Sequence, residues 1–348
     1  MENVLMYDRT VRENTGFVGE ETAAYEAKLD RATELFNERM QYIEKRCQEP
    51  NANPDEMLIL TTKAIMDMCN AAEMFEQTVG QDKSAIKDAQ IKFREKTNHI
   101  FTKSYYNRAR IWPRGYQGDY EMLEFHYRNT PLSQGIGFYV ERYLLVSTLA
   151  IAVRERKELL RELLLAELNM RANPKILDIA CGSCREIVEL ASDITRSGAE
   201  VICLDFDEEA LKSSANRMAL TGISTDMIKF RKYNALKMIN PERNVKEFGM
   251  QDVIYSVGLF DYLDDNTLIR LLSSLYESLS PGGKLIASFK DCRRYSTFIY
   301  HWLINWNGFL QRTEEDVWAL YEKAGFLRSA VTTVREKSGV IAFYTVTK

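Results

Sequence analysis

Residues 176–191 read ILDIACGSCREIVELA. A short apolar run carrying an acid meets a glycine at 182 and then enters a helical pattern, which is the plan of the first βα turn in an open α/β sheet. The rhythm continues downstream. Runs at 176–180, 201–204, 228–233, 253–257 and 284–289 are short and apolar, and helical segments separate them. That alternation predicts a parallel sheet with crossover helices. The end differs, because 331–335 and 340–346 flank Glu336-Lys337-Ser338-Gly339, a hairpin signal that predicts an antiparallel finish.

Upstream, the period is helical. Tyr25, Leu29, Ala32, Phe36, Ile43 and Cys47 recur at three- and four-residue steps, so one face of 20–48 is apolar. Asn53-Pro54 with Glu56 predicts a helix start by cap, fixed φ and acid in the first turn. A third helical stretch opens at Ser84, beyond Gly80. Residues 108–131, RARIWPRGYQGDYEMLEFHYRNTP, read as a loop punctuated by Pro113, Gly115 and Gly118. The expected organisation is a helical domain over 1–134, one long connecting helix over 135–171, and the α/β domain over 172–348.

Composition narrows the function. The 348 residues carry 46 Lys and Arg against 50 Asp and Glu, a formal net charge of −4, so no whole-protein basic field favours nucleic acid. The most apolar run, 143–153, is well short of the ~20 residues of a membrane span. The first residues show no basic leader with an apolar core, and the six cysteines are scattered as reduced thiols would be, so a cytoplasmic protein is expected.

The turn at Gly182 is the floor of the expected site. Asp205 ends the next strand, 23 residues on, where an acid can hydrogen-bond both hydroxyls of a ribose. A dinucleotide needs G-x-G-x-x-G so that bare backbone can approach a pyrophosphate, but these places hold Gly182, Cys184 and Ile187. No G-x-x-x-x-G-K-[ST] run is present either. A nucleoside without phosphates fits better, and S-adenosyl-L-methionine is such a molecule with a reactive centre.

At this point the chain resembles the class I S-adenosylmethionine-dependent methyltransferases, over about residues 172–348. ILDIACGSC resembles the family's first motif, which implies that Asp178, Ala180, Cys181 and Gly182 receive the amino-acid end of the cofactor. VICLDFD resembles the second, implying Asp205 on the ribose and Phe206 against the adenine. YNAL, with Asn234 and Ala235, resembles the segment bordering the adenine edge, and DVIYSVGLFDYLDD the fourth motif, with Ser256, Val257 and Gly258 behind the methionine. LSPGGKLIASF resembles the turn and fifth strand. The implied architecture is a Rossmann-like sheet, parallel with one antiparallel strand at its end, preceded by a helical cap domain. Cys184 departs from the glycine common there. Cys181-x-x-Cys184 also matches a redox or half-zinc pattern, against which stands simple packing, and no metal ligand set is assigned.

A sulfonium is an activated leaving group, so the protein has mainly to align an acceptor and exclude water. A base is needed only when the acceptor carries a high-pKa proton. A small-molecule methyl acceptor is expected, and WPRGYQGDYEML resembles a segment of bacterial proteins that make the methyl ester of 3-hydroxypalmitic acid, on Arg114-Gly115-Tyr116 and Gly118-Asp119-Tyr120. That likeness implies carboxyl O-methylation, with Arg114, Tyr116 or Arg293 orienting the carboxylate. The alternatives are an O- or N-methyltransferase of an aromatic or amine metabolite, or a nucleoside-binding regulatory protein without turnover. For the base-dependent alternative His126 and His301 are the candidate donors or bases, with Tyr262 and Asp261, after the fourth strand, as further candidates. Lys92, Arg94, Lys96, Lys103, Arg108, Arg110 and Arg114, interleaved with aromatics, read as a solvated basic face, an anion-receiving surface or a single-strand groove. The aromatics of 295–306 read as a substrate slot or as packing.

Overall fold

The computed structural model describes residues 11–348. In chain order the helices are α1 (Val11–Arg46), α2 (Pro54–Val79), α3 (Lys83–Lys96), α4 (Asn98–Phe101), α5 (Asn107–Ile111), α6 (Tyr120–Arg128), α7 (Ile136–Leu145) and α8 (Thr148–Met170). The strands β1 (Lys175–Ile179), β2 (Glu200–Asp205), β3 (Ile228–Lys232), β4 (Gln251–Val257), β5 (Leu279–Lys290), β6 (Val331–Arg335) and β7 (Ile341–Thr347) follow. Between them run α9 (Arg185–Glu189), α10 (Ala191–Ser197), α11 (Glu208–Ala219), α12 (Pro241–Phe248), α13 (Asp265–Glu277) and α14 (Glu314–Lys323). The described chain divides into two compact units, one of 11–115, 130–146 and 297–307, the other of 116–129, 147–296 and 308–348.

The helical unit starts its second helix as the sequence demands. Asn53 Oδ1 accepts the N–H groups of Asp55 (3.0 Å) and Glu56 (3.4 Å), and Gly80 ends the helix at φ 64°. Its core is aromatic: Phe93 meets Phe36 at 5.8 Å and Trp302 at 6.1 Å, and Phe75 meets Trp302 at 6.2 Å. The Trp302 indole N–H donates to Glu76 Oε1 (2.7 Å), so this buried ring is core of the helical unit and its polar end is satisfied. Five of the seven basic residues noted above are consumed inside this unit. Lys92 and Lys96 pair with Asp30, Lys103 with Glu44, and Arg94 donates to the His301 carbonyl. Arg110 is buried, donates to the carbonyls of Leu303 (2.7 Å) and Arg94 (3.0 Å) and to Thr97 Oγ1 (3.0 Å), and lies 3.5 Å over the Phe101 ring.

In the other unit the seven strands lie in the order β3-β2-β1-β4-β5-β7-β6. β1 to β5 pair in parallel, while β7 runs antiparallel to both β5 and β6, as the terminal hairpin predicts. Strand order reverses between β1 and β4, which opens a crevice at their carboxyl ends. Leu177, Ile179, Ile254, Leu285 and Ala287 are fully buried, which explains their near-continuous apolar runs. Glu336 closes the hairpin by accepting the N–H groups of Val340 and Ile341, both at 2.9 Å.

Three expectations are corrected. The helix over 135–171 is two helices, because Ser147 adopts an extended conformation (ψ 155°) and restarts the ladder by accepting the N–H of Ile151 (3.0 Å). The stretch 108–131 is not all loop: Asp119 Oδ1 accepts the Met122 N–H (3.0 Å) and starts α6. The LSPGG segment lies within β5, where Leu279 pairs with Gln251 and a bulge precedes the Val253–Lys284 pair.

Candidate active site

β1 delivers its carboxyl end into a turn with an unusual backbone. Ala180 (φ 60°), Gly182 (φ 53°) and Cys184 (φ 46°) are all left-handed, so two of the three residues carry a Cβ where it costs ~1–2 kcal/mol. Such strain persists only where the surroundings over-determine it. The surroundings here are hydrogen bonds: the Cys181 N–H donates to the Leu204 carbonyl (2.9 Å), and the Gly182 N–H donates to Asp205 Oδ2 (2.8 Å). Asp205 Oδ1 accepts the Asp207 N–H (2.9 Å), so one carboxylate at the end of β2 ties both loops together. Its burial pushes the pKa up, and these N–H donors oppose that rise.

Phe206, next in sequence, is 53% exposed, an apolar ring presented outward. Tyr116 meets it edge-on at 4.9 Å and donates its hydroxyl to Asp207 Oδ2 (2.8 Å). Burial and the Asp207 carboxylate push the Tyr116 phenol up, so it is a proton donor. Tyr116, expected beside the acceptor, thus stands with Phe206 and Asp207 just beyond the end of β2. Asn234 caps the turn of 235–239 by accepting the Leu236 N–H (2.9 Å), and Ala235 opens that turn. Ser256 is buried and donates to the Ile179 carbonyl (2.9 Å), which joins β4 to β1.

A small cleft lies over the turn, lined among others by Tyr127, Arg156, Asp178, Gly182, Glu186 and Val257. Asp178 and Glu186 are buried, and burial pushes both carboxyls up. Tyr255 donates its hydroxyl to Glu186 Oε1 (3.3 Å). Arg156 of α8 and Glu186 of α9 were not foreseen, though Arg156 left a signal: it shares a helical stripe with Leu149, Val153, Leu160 and Leu164, a charge on an apolar face. The ligand-capable atoms of Asp178, Cys181 and Cys184 lie within 4.8 Å of one another. Burial pushes both thiols well up, which keeps them protonated, the state of packed thiols.

The remaining candidates scatter. His126 is buried in α6, its Nδ1 sits 2.8 Å from the Met122 carbonyl, and burial lowers its pKa to about 4. Arg293 lies toward solvent and pairs with Glu315 (2.7 Å) and Asp291 (3.3 Å). Arg114 and His301 belong to the helical unit. Tyr262 follows β4, at the carboxyl end of the sheet, packed edge-on against Phe309 at 6.2 Å. Beside it Asp261, a candidate from its place after β4, forms a buried ion pair with Lys290, last residue of β5, which was not foreseen. The Lys290 ammonium is 4.8 Å from the Phe309 ring centroid and 6.0 Å from that of Tyr262.

Residues 177–285 match a family described as a methyltransferase domain. Among solved structures, a possible exported protein from Bordetella parapertussis is similar at 21% identity and a TM-score of 0.58, covering 75% of this chain and 87% of its own. Magnesium protoporphyrin IX methyltransferase from Synechocystis, with bound S-adenosylhomocysteine, gives 14% identity, coverages of 65% and 93%, and a TM-score of 0.46. A methyltransferase from Aquifex aeolicus gives 16%, coverages of 54% and 88%, and 0.38. No curated protein matches the chain. The stretch that matches a methyltransferase domain, residues 177–285, includes the turn just described.

Proposed function

We propose that this methyltransferase domain transfers the methyl group of S-adenosylmethionine to the carboxylate of an apolar organic acid, such as a fatty acid. The observation that carries this reading is the Lys290 ammonium, buried at the carboxyl end of β5 against Phe309 and Tyr262. An ammonium has three N–H donors, and Asp261 accepts from one of them. The others can orient an acceptor oxygen, and the rings beside them suit an apolar chain. Orientation is the main demand, because a carboxylate attacks the sulfonium methyl as it stands: the new C–O bond forms as the S–C bond breaks, and the pair stays on sulfur. A hydroxyl or amine acceptor would need a base. His126, the foremost candidate base, is buried and has its pKa lowered to about 4, so it takes a proton poorly at neutral pH.

The test is incubation of the purified protein with methyl-labelled cofactor and a panel of saturated and hydroxylated fatty acids, followed by mild alkali. Esters release the label as volatile methanol. Label that survives alkali on an ether or amine would overturn the carboxyl assignment, and Lys290→Met should abolish ester formation while cofactor binding persists.

A further inference from the structure

We infer that Arg156 binds the carboxylate of the cofactor's methionine end and that Gly258 is the seat on which its guanidinium rests. The cofactor brings an ammonium, a carboxylate and a cationic sulfur into the cleft. Its lining supplies acids for the ammonium in Asp178 and Glu186, and two bases in Arg156 and Lys157. Lys157 is spent on Glu158 and Glu189, at 2.7 Å each. Arg156 is different. It is 5% exposed, its Nε is buried without a hydrogen-bond partner, and among the described residues it forms no ion pair. Glu186 feels its charge but forms no ion pair with it, and Tyr255 donates to the Glu186 carboxyl. A guanidinium taken out of water without an anion is costly, so a ligand anion completes this site.

The backbone opposite supports the same assignment. Gly258 follows β4 at φ 108°, and a Cβ there would stand 3.1 Å from Arg156 Nη1 and 3.8 Å from Cζ. A side chain at 258 would press on the guanidinium. Glycine lets the planar group lie against the strand end, beside Val257, which also lines the cleft. Tyr127, half-buried, is the neighbour on the α6 side and interacts with the same charge. A fork of N–H donors held from two sides suits bidentate recognition of a carboxylate.

The inference rests on the cofactor and is independent of the acceptor. Calorimetry with S-adenosylhomocysteine and with its analogue lacking only the α-carboxylate tests it. The wild type should prefer the carboxylate-bearing ligand by about 10- to 100-fold, the value of a buried charge-assisted pair. Arg156→Gln should lose that preference, by weakening the first ligand and leaving the second within about twofold, and Arg156→Lys should keep part of it. Equal losses for both ligands, or no loss, would overturn the assignment. Should Arg156→Gln not fold, equal binding of the two ligands by the wild type, or by Arg156→Lys as strongly as by the wild type, would do the same.

Discussion

The two units treat buried arginine in opposite ways. In the helical unit Arg110 is buried and spends its guanidinium on the Leu303 and Arg94 carbonyls and the Thr97 hydroxyl. In the sheet unit Arg156 is as deeply buried, and its Nε has no partner. Both residues stand on helices among apolar neighbours, yet one charge is a structural tie and the other is held open for a ligand. Density of positive charge along the sequence therefore misleads. The crowded run of 92–117 is mostly consumed within its own unit, while a single arginine in an unremarked helix faces the cleft.

The largest effect should come from breaking the structural member of the pair. Arg110→Ala removes one partner of a buried network and leaves two carbonyls and a hydroxyl without it, which should cost about 3–5 kcal/mol of stability. Chemical denaturation should show that loss while cofactor affinity of the remaining folded protein stays unchanged. A fall in affinity would mean that the contrast between the two arginines is wrong.

The next effect concerns protons. His126 has its pKa lowered to about 4 in the folded protein against 6.5 when exposed. Its contribution is full above pH 6.5 and falls as pH drops toward 4, because the unfolded chain then binds a proton that the folded chain refuses; the whole interval is worth about 3 kcal/mol. Stability of His126→Gln measured between pH 7 and 4.5 should therefore decline less steeply than that of the wild type. Parallel declines would show that the ring titrates freely, which would restore it as a base.

Smaller effects sharpen the floor of the cleft. If the Asp205 carboxylate bonds the ribose, Asp205→Ala should weaken cofactor binding by about 1–3 kcal/mol, seen in calorimetry, and it also releases the N–H groups of Gly182 and Asp207. Unchanged affinity would remove the ribose assignment. Ala180→Gly should raise the melting temperature by relieving about 1 kcal/mol of left-handed strain. A lower melting temperature would mean that the Ala180 methyl contributes more than its conformation costs.

Much of the fold was legible in the sequence. Strand runs, the Asn53 cap and the terminal hairpin are local signals, and each follows from one residue type at one place. Ser147 was not legible as a break, since an apolar period continues on both sides of it. Asp119 looked like loop chemistry because the glycines around it hide a cap. Of the site, Asp205 and Gly182 were legible because spacing along one βα unit fixes their meeting. Asp261 was legible from its place after β4, but its pairing with Lys290 was not, because it joins that turn to the end of β5 through tertiary structure alone. Arg156 lay between these cases: its place on an apolar stripe was visible, but only the strand end opposite showed what the charge was for.

The most direct measurement is a crystal structure of the protein with S-adenosylhomocysteine. The account predicts the ribose hydroxyls on the Asp205 carboxylate, the adenine beside Phe206 and the ligand carboxylate on Arg156, in the crevice between β1 and β4. A ligand bound elsewhere, or a crevice filled by the protein's own side chains, would contradict it.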